Sequence, residues 1–274
     1  MKAAQIERYN KELRVRINDI PVPGIGDQDI LLRVKAASVN PVDILNLTGA
    51  VRLIQDYKMP LTLGNECAGV VEKVGRCVTR FQPGDPVYSR LPIRDPGAFA
   101  EYAAIPENAA ARMPAGLDYA SAAAVPLTGL TAYQAITEEL RAKPGDTLFI
   151  PGGSGSFGQM AVPIAKALGL RVIVSGNARA KDAILAAGAE RYIVYTEENY
   201  RETLSGVDYV IDTPGGKERN TAFFLCGRTA GSWKPLPASW KRSTFFRGST
   251  PTNLTFPGSA TRWHWYRTAT STEK

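Results

Sequence analysis

Six residues constrain this chain more than any others: Gly153-Ser154-Gly155-Ser156-Phe157-Gly158. They directly follow a short apolar run, Thr147-Leu148-Phe149-Ile150. An unbroken run of that kind is what a parallel strand buried on both faces requires. The residues after the loop carry a helical pattern to about Leu168, with Gly169 as its stop. A GxGxxG spacing alone is weak, because glycine-rich turns without a ligand also contain it. Placed between a strand and a helix it has a physical rationale. The first glycine permits the tight turn, and the second lets the backbone approach a pyrophosphate stabilised by the helix N-terminus. The third lets helix and strand pack closely.

The pattern continues downstream. Arg171–Ser175, Arg191–Val194 and Asp208–Asp212 read as strands, and Ala180–Ala187 and Glu197–Leu204 as helices. Strands alternating with helices at this spacing predict a doubly wound α/β sheet of the Rossmann type. Helical spacing also covers residues 118–141, with an expected interruption around Pro126 and Gly129.

The end of the second predicted strand sets the expected cofactor. A site that prefers NAD places an Asp or Glu there to hold the ribose 2′-hydroxyl. Residues 175–181 read Ser175-Gly176-Asn177-Ala178-Arg179-Ala180-Lys181 and contain no acid. Ser175, Asn177, Arg179 and Lys181 offer hydroxyl, amide and cationic donors suited to a 2′-phosphate. The expected cofactor is therefore NADP. The alternative is that Arg179 and Lys181 only solvate a helix start.

The first ~120 residues read differently. Short strands such as Ile30–Ala36 and Cys67–Gly75 are separated by Gly and Pro, and Pro83-Gly84-Asp85 marks a turn before another strand. This predicts a small β-rich barrel or sandwich.

Charge and composition then divide the chain. Its 274 residues carry a net charge of +7, from 33 basic and 26 acidic side chains. Residues 1–227 hold 25 of each sign, so the whole surplus lies in residues 228–274, which hold eight basic residues and Glu273. That tail also contains all four Trp and the one His, His264. The body therefore has no His, which excludes Ser-His-Asp and Cys-His nucleophile pairs and His-containing zinc sites there. Three Cys without close spacing argue against a disulfide scaffold and for a reducing, cytoplasmic location. No apolar run of ~18 residues appears, so no membrane partner is expected. Basic and aromatic residues in the tail do not make a recognised nucleic-acid module, so no nucleic-acid partner is expected either.

The body resembles the medium-chain dehydrogenase/reductase superfamily, specifically its zinc-independent, quinone-oxidoreductase-like branch. The resemblance is carried by Asn40-Pro41-Val42-Asp43, Leu63-Gly64-Asn65-Glu66, Ala68-Gly69-Val70-Val71, Phe81-Gln82-Pro83-Gly84-Asp85 and Gly97-Ala98-Phe99-Ala100-Glu101-Tyr102. It continues through Ala122–Tyr133, the glycine-rich loop and Asp212-Thr213-Pro214-Gly215-Gly216, then stops at about residue 218.

The resemblance implies a GroES-like substrate domain (1–125), a truncated Rossmann NADP-binding domain (126–227) and a non-family tail (228–274) expected to be disordered. It implies a nicotinamide in the cleft between the domains. Asn65 stands where zinc-dependent relatives carry a His, and Asn40 cannot supply a thiolate, so no zinc is expected. Hydride transfer to a quinone or to the activated C=C bond of an α,β-unsaturated carbonyl needs no Lewis acid.

By the same resemblance Asn40 orients nicotinamide or substrate, and Thr128 lies against the nicotinamide amide. Tyr195 lies near the adenine ribose, and the cofactor-binding residues are Gly153, Ser154, Gly155, Ser156, Phe157, Gly158, Ser175, Asn177, Arg179, Lys181 and Tyr195. Four functions remain open: an NADPH-dependent reductase of small quinones or enones, an inactive or regulatory nucleotide-binding remnant, a zinc-independent alcohol or aldehyde oxidoreductase, and a basic interaction protein acting through its tail. Activity lost through the altered C-terminus belongs with the second.

Relatives are often dimers, but through late Rossmann strands whose pattern is not seen after about residue 218. The tail is either the product of a shifted reading frame or a divergent extension. Without two further strands, the fourth strand (Tyr209-Val210-Ile211) is expected to expose a flat apolar edge.

Overall fold

A computed structural model describes residues 1–53 and 55–213, with the backbone of 224–226. The tail and its aromatic residues lie outside the described residues. Met1–Ala124 forms one compact unit, and the described residues from Val125 onward form another.

In the first unit, β1 (Lys2–Ile6) and β2 (Arg16–Asp19) precede the long strand β3 (Asp29–Ala37) and helix α1 (Pro41–Thr48). Then come β4 (Leu61–Thr62), β5 (Glu66–Val74), β6 (Pro86–Arg90), β7 (Tyr102–Pro106), β8 (Ala110–Arg112) and helix α2 (Tyr119–Ala123). A five-stranded sheet has the order β7-β3-β5-β6-β8, and a three-stranded sheet the order β2-β1-β4. All pairings in both are antiparallel.

β3 is central, pairing Leu32 with Val71 on one side and with Ala103 on the other. Ile30 and Leu32 point into a core with Val71, Phe81, Val87 and Ile105, while Arg33 and Lys35 are exposed. This alternation follows from the two-residue period of a strand. A second cluster of Ile6, Leu47, Tyr57, Leu61 and Leu63 holds α1 in place through Leu47.

The expected Pro-Gly-Asp turn is present, and the second unit repeats its chemistry. Asp85 Oδ2 accepts from the Gln82 N–H at 2.9 Å, and Asp146 Oδ2 accepts from the Lys143 N–H at 2.8 Å. Each carboxylate satisfies a backbone donor just before a strand, as Asp does in turns of this kind.

The second unit opens with α3 (Pro126–Gln134) and a π-helical turn, Ala135–Glu139. It continues with β9 (Thr147–Pro151), α4 (Ser156–Ala167), β10 (Arg171–Gly176), α5 (Lys181–Ala186), β11 (Arg191–Val194), α6 (Tyr200–Thr203), β12 (Tyr209–Asp212) and β13 (Phe224–Cys226). The sheet order is β11-β10-β9-β12-β13, and all but the last pairing are parallel. Strands three, two, one and four side by side form the Rossmann order.

All five residues of β9 are buried. Leu148 and Ile150 face a core with Val172, Val174, Phe157 and Ala161, whereas Phe149 faces Ile193 and Leu204 on the opposite side. Both faces are covered, which is why the sequence here shows a continuous apolar run rather than alternation.

Three expectations differ from the structure. Gly129 does not interrupt α3: its N–H donates to Val125 O at 2.8 Å, and the residue is buried in the helix. The helix expected over 197–204 is only Tyr200–Thr203, because Asn199 Oδ1 accepts from the Arg201 N–H and starts the helix there. The edge of β12 is not bare. β13 pairs with it antiparallel, Val210 with Cys226 and Asp212 with Phe224.

Candidate dinucleotide site and buried polar cluster

The glycine-rich loop leaves β9 at Pro151. Thr213, just beyond β12, anchors that point: its hydroxyl donates to Pro151 O at 2.8 Å. Gly155 caps α4 in an extended conformation, and α4 begins at Ser156. A Cβ on Gly158 would lie 1.9 Å from the Gly153 carbonyl oxygen, so helix and loop touch backbone to backbone here. A Cβ on Gly155 would meet nothing nearer than 3.8 Å, from the Gly152 oxygen.

Gly155 and Ser156 are exposed at the first turn of the helix, where N–H groups and the helix dipole favour an anion. The loop therefore fits a pyrophosphate: tight where helix meets strand and open where phosphate oxygens would lie. Phe157 is 6% exposed and belongs to the core, so it anchors the helix.

The turn after β10 comes close to this loop. Asn177 Nδ2 donates to Ser154 Oγ at 3.4 Å, and its Oδ1 accepts from the Ala180 N–H at 3.2 Å. The Tyr195 N–H donates to the Gly176 carbonyl at 3.2 Å, bringing the end of β11 alongside. Asn177, Arg179, Lys181 and Tyr195 are exposed, whereas Ser175 is buried within β10. Thr128, the remaining sequence-predicted residue of this unit, is half-buried in the first turn of α3.

Asn40 belongs to the other unit and heads a buried polar cluster. It is the N-cap of α1, and its backbone N–H donates to Asp43 Oδ2 at 2.7 Å. Its side-chain amide donates to Glu66 Oε1 at 2.7 Å and more loosely to Ser38 O at 3.5 Å. The second oxygen of Asp43 accepts from Asn65 Nδ2 at 2.6 Å. Asn65 Oδ1 is buried with no partner among the described residues.

Burial pushes the Asp43 carboxyl above the usual carboxylate range, and the donors from Asn40 and Asn65 oppose that shift. Burial likewise holds the Arg90 guanidinium below its ordinary value, against the favourable fields of Tyr57 and Glu66. The Tyr57 hydroxyl is pushed up to about 12 by burial. Asn40, Asp43, Asn65 and Glu66 thus form one hydrogen-bonded set joining the start of α1 to the start of β5. Among the described residues, no group of three or more His, Cys, Asp or Glu is arranged to hold a metal ion. No helix among them is long and apolar enough to cross a membrane.

Sequence reasoning did not single out Glu66, Tyr57 and Arg90 as site residues, nor Tyr192 and Thr213 beside the loop. Asp43 and Glu66 stood inside quoted motifs, but their partners Asn65 and Asn40 lie 22 and 26 residues away in the chain. No local spacing reports such a pairing.

A β-rich unit followed by a parallel sheet with a dinucleotide-type loop defines a two-unit chain of the dehydrogenase/reductase class. Residues 26–115 match the alcohol dehydrogenase GroES-like domain family. The chain is 32% identical over 243 residues to a chloroplastic quinone-oxidoreductase homolog of Spinacia oleracea, covering 83% of this chain and 74% of that one. It is 32% identical over 210 residues to a 2-methylene-furan-3-one reductase of Solanum lycopersicum, covering 74% and 54%. The Escherichia coli quinone oxidoreductase, whose structure was solved with NADPH, superposes with a TM-score of 0.68 at 28% identity, covering 79% of this chain and 67% of that one. The chain belongs to the medium-chain dehydrogenase/reductase superfamily, in its quinone-oxidoreductase-like branch. It spans 60–66% of the length of the mammalian quinone oxidoreductases it matches.

Proposed function

We propose that this chain is an NADPH-dependent reductase of small quinones or of the activated C=C bond of α,β-unsaturated carbonyls, acting without zinc. The observation that carries this reading is the loop at 153–158 beside an exposed, acid-free turn. Gly155 leaves room for a pyrophosphate, while Asn177, Arg179 and Lys181 present donors to a 2′-phosphate. Tyr195 supplies an exposed ring at the end of β11, against which the adenosine part would rest.

Bound NADPH supplies a hydride to an electron-poor carbon. The protein's part is to hold the acceptor and the oxygen on which charge develops. In this reading Asn40 is the polar group beside nicotinamide or substrate, fixed in one orientation by Glu66 and by the helix cap. Thr128 offers a half-buried hydroxyl toward the nicotinamide amide. Asn40 and Asn65 provide neither thiolate nor imidazole, which supports the zinc-free form of the reaction. The proton can come from water, so the reading assigns no catalytic acid. Residues 1–124 act as the substrate domain and those from about 125 as the cofactor domain.

The test is steady-state turnover of the full chain with a panel of quinones and enones, using NADPH and NADH in parallel. Turnover with a clear NADPH preference is expected. Equal efficiency with NADH overturns the cofactor assignment. Tight NADPH binding without turnover of any acceptor overturns the reductase reading in favour of a nucleotide-binding remnant.

A further inference from the structure

The turn that would select the cofactor is tied to the glycine-rich loop by a residue outside both. Tyr192 lies on β11, buried in the main core of its unit. Its hydroxyl donates to the Asn177 carbonyl oxygen at 2.6 Å. Ser154, in the glycine-rich loop, lies beside the same hydroxyl: a Cβ on Gly176 would be 2.2 Å from Tyr192 Oη and 2.9 Å from Ser154 Oγ. Asn177 links the two, since its Nδ2 donates to Ser154 Oγ at 3.4 Å.

Burial raises the Tyr192 hydroxyl above its ordinary range, so it remains a donor across the whole pH range of interest. The contact also explains Gly176. A Cβ there would sit 2.2 Å from Tyr192 Oη and 2.6 Å from Ser154 Cβ. Only glycine lets the hydroxyl and the loop serine close over the strand end.

We propose that Tyr192 is a positioning residue for cofactor selection. Its hydroxyl, through Ser154 and Asn177, locks the pyrophosphate loop to the turn bearing Arg179 and Lys181, and so sets the preference for a 2′-phosphorylated dinucleotide. This rests on the NADPH reading above. Tyr192 touches no cofactor itself. It fixes the distance between two groups that do, and a rigid distance is what distinguishes a ligand with a 2′-phosphate from one without it.

Calorimetric titration of the full chain with NADPH, NADH, 2′,5′-ADP and 5′-AMP tests this without requiring turnover. Tyr192→Phe removes the hydroxyl and keeps the ring. Affinity for NADPH and 2′,5′-ADP is expected to fall about three- to tenfold, the net worth of one hydrogen bond, while NADH and 5′-AMP change less than about twofold. Ser154→Ala, which removes the acceptor of the Asn177 amide without touching the core, is expected to compress the same ratio. Unchanged affinities in Tyr192→Phe overturn the proposal. So does an equal loss for phosphorylated and unphosphorylated ligands together with a lower Tm, which would mark Tyr192 as structural only. If the unmodified chain binds NADH as tightly as NADPH, the underlying cofactor reading fails, and this proposal with it. That result is distinct because it needs no variant.

Discussion

Asn65 donates its side-chain amide to Asp43 at 2.6 Å, and both residues are almost wholly buried. The amide orientation is fixed, because only its nitrogen can face a carboxylate. Asn65→Asp would set two carboxylates against each other in a site where burial already raises the Asp43 pKa. A like charge raises it further. A carboxyl whose folded pKa lies above its unfolded value contributes stability at low pH and loses it as pH rises through the folded value. The variant is therefore expected to lose about 3 kcal/mol near neutrality, the cost typical of an uncompensated buried charge. Its Tm should recover towards that of the parent as pH falls to about 5. A Tm deficit independent of pH would show that the two carboxyls do not interact.

Two glycines of one loop should fail in different ways. Gly158→Ala drives a Cβ into the Gly153 carbonyl at 1.9 Å. It is expected to lower stability by about 2 kcal/mol or more, as overpacking against backbone does, and to weaken dinucleotide binding as a consequence. Gly155→Ala meets no atom nearer than 3.8 Å. It should leave Tm within about a degree of the parent, yet weaken NADPH at least tenfold, because the methyl group occupies the approach of the pyrophosphate. Thermal melts set beside binding isotherms separate the two. A large Tm drop in Gly155→Ala would show that the open space is not reserved for a ligand.

Asp85 sits in the turn before β6, with Arg112 Nη1 at 2.8 Å. The Arg112 guanidinium and then the Gln82 N–H hold its carboxyl below the usual range. The sign is opposite to that of the Asn65→Asp pair. A depressed carboxylate stabilises the fold above its unfolded pKa and loses that contribution as pH falls through the folded value. Arg112 is more than half exposed, so the pair is screened, and Asp85→Asn should cost only about 1 kcal/mol at neutral pH. Denaturation midpoints of parent and variant should converge below about pH 3. A deficit that persists there would assign the loss to turn geometry rather than charge.

The described thiols predict a sharp contrast in reactivity. Cys67 is wholly buried, and burial pushes its thiol up to about 12, whereas Cys77 is exposed. The thiolate is the reacting form, so Cys67 should stay unmodified by a thiol reagent at pH 8 until the β-rich unit opens. Cys77→Ser is expected to remove a fast-reacting equivalent, and Cys67→Ser to leave the fast phase unchanged. Rapid labelling of Cys67 in the folded chain would contradict its place in the core.

The parallel strands were legible because burial on both faces leaves an unbroken apolar signature, as at Leu148-Phe149-Ile150. The turns were legible because Asp85 and Asp146 act within three residues of their own positions. The polar cluster was not, because Asn40 meets Glu66 and Asp43 meets Asn65 only after β5 has been brought beside the start of α1. Asn199 misled at one helix start: it lies inside a helical pattern but acts as a cap, and nothing in the spacing tells which role a lone Asn takes. Gly129 misled in the other direction. Its place inside a packed helix outweighs an intrinsic penalty of only about 1 kcal/mol.

The closeness of Gly176 to the Tyr192 hydroxyl has a consequence for how such a chain can change over time. A side chain cannot be gained at position 176 while the hydroxyl remains. Removing the hydroxyl first releases the Asn177 carbonyl and loosens the turn before anything replaces it. Each single substitution is a step downhill, so the two positions behave as one inherited unit. If the proposed NADPH reading holds, drift from one cofactor to the other is therefore easier through the exposed Arg179 and Lys181 than through the strand ends beside them.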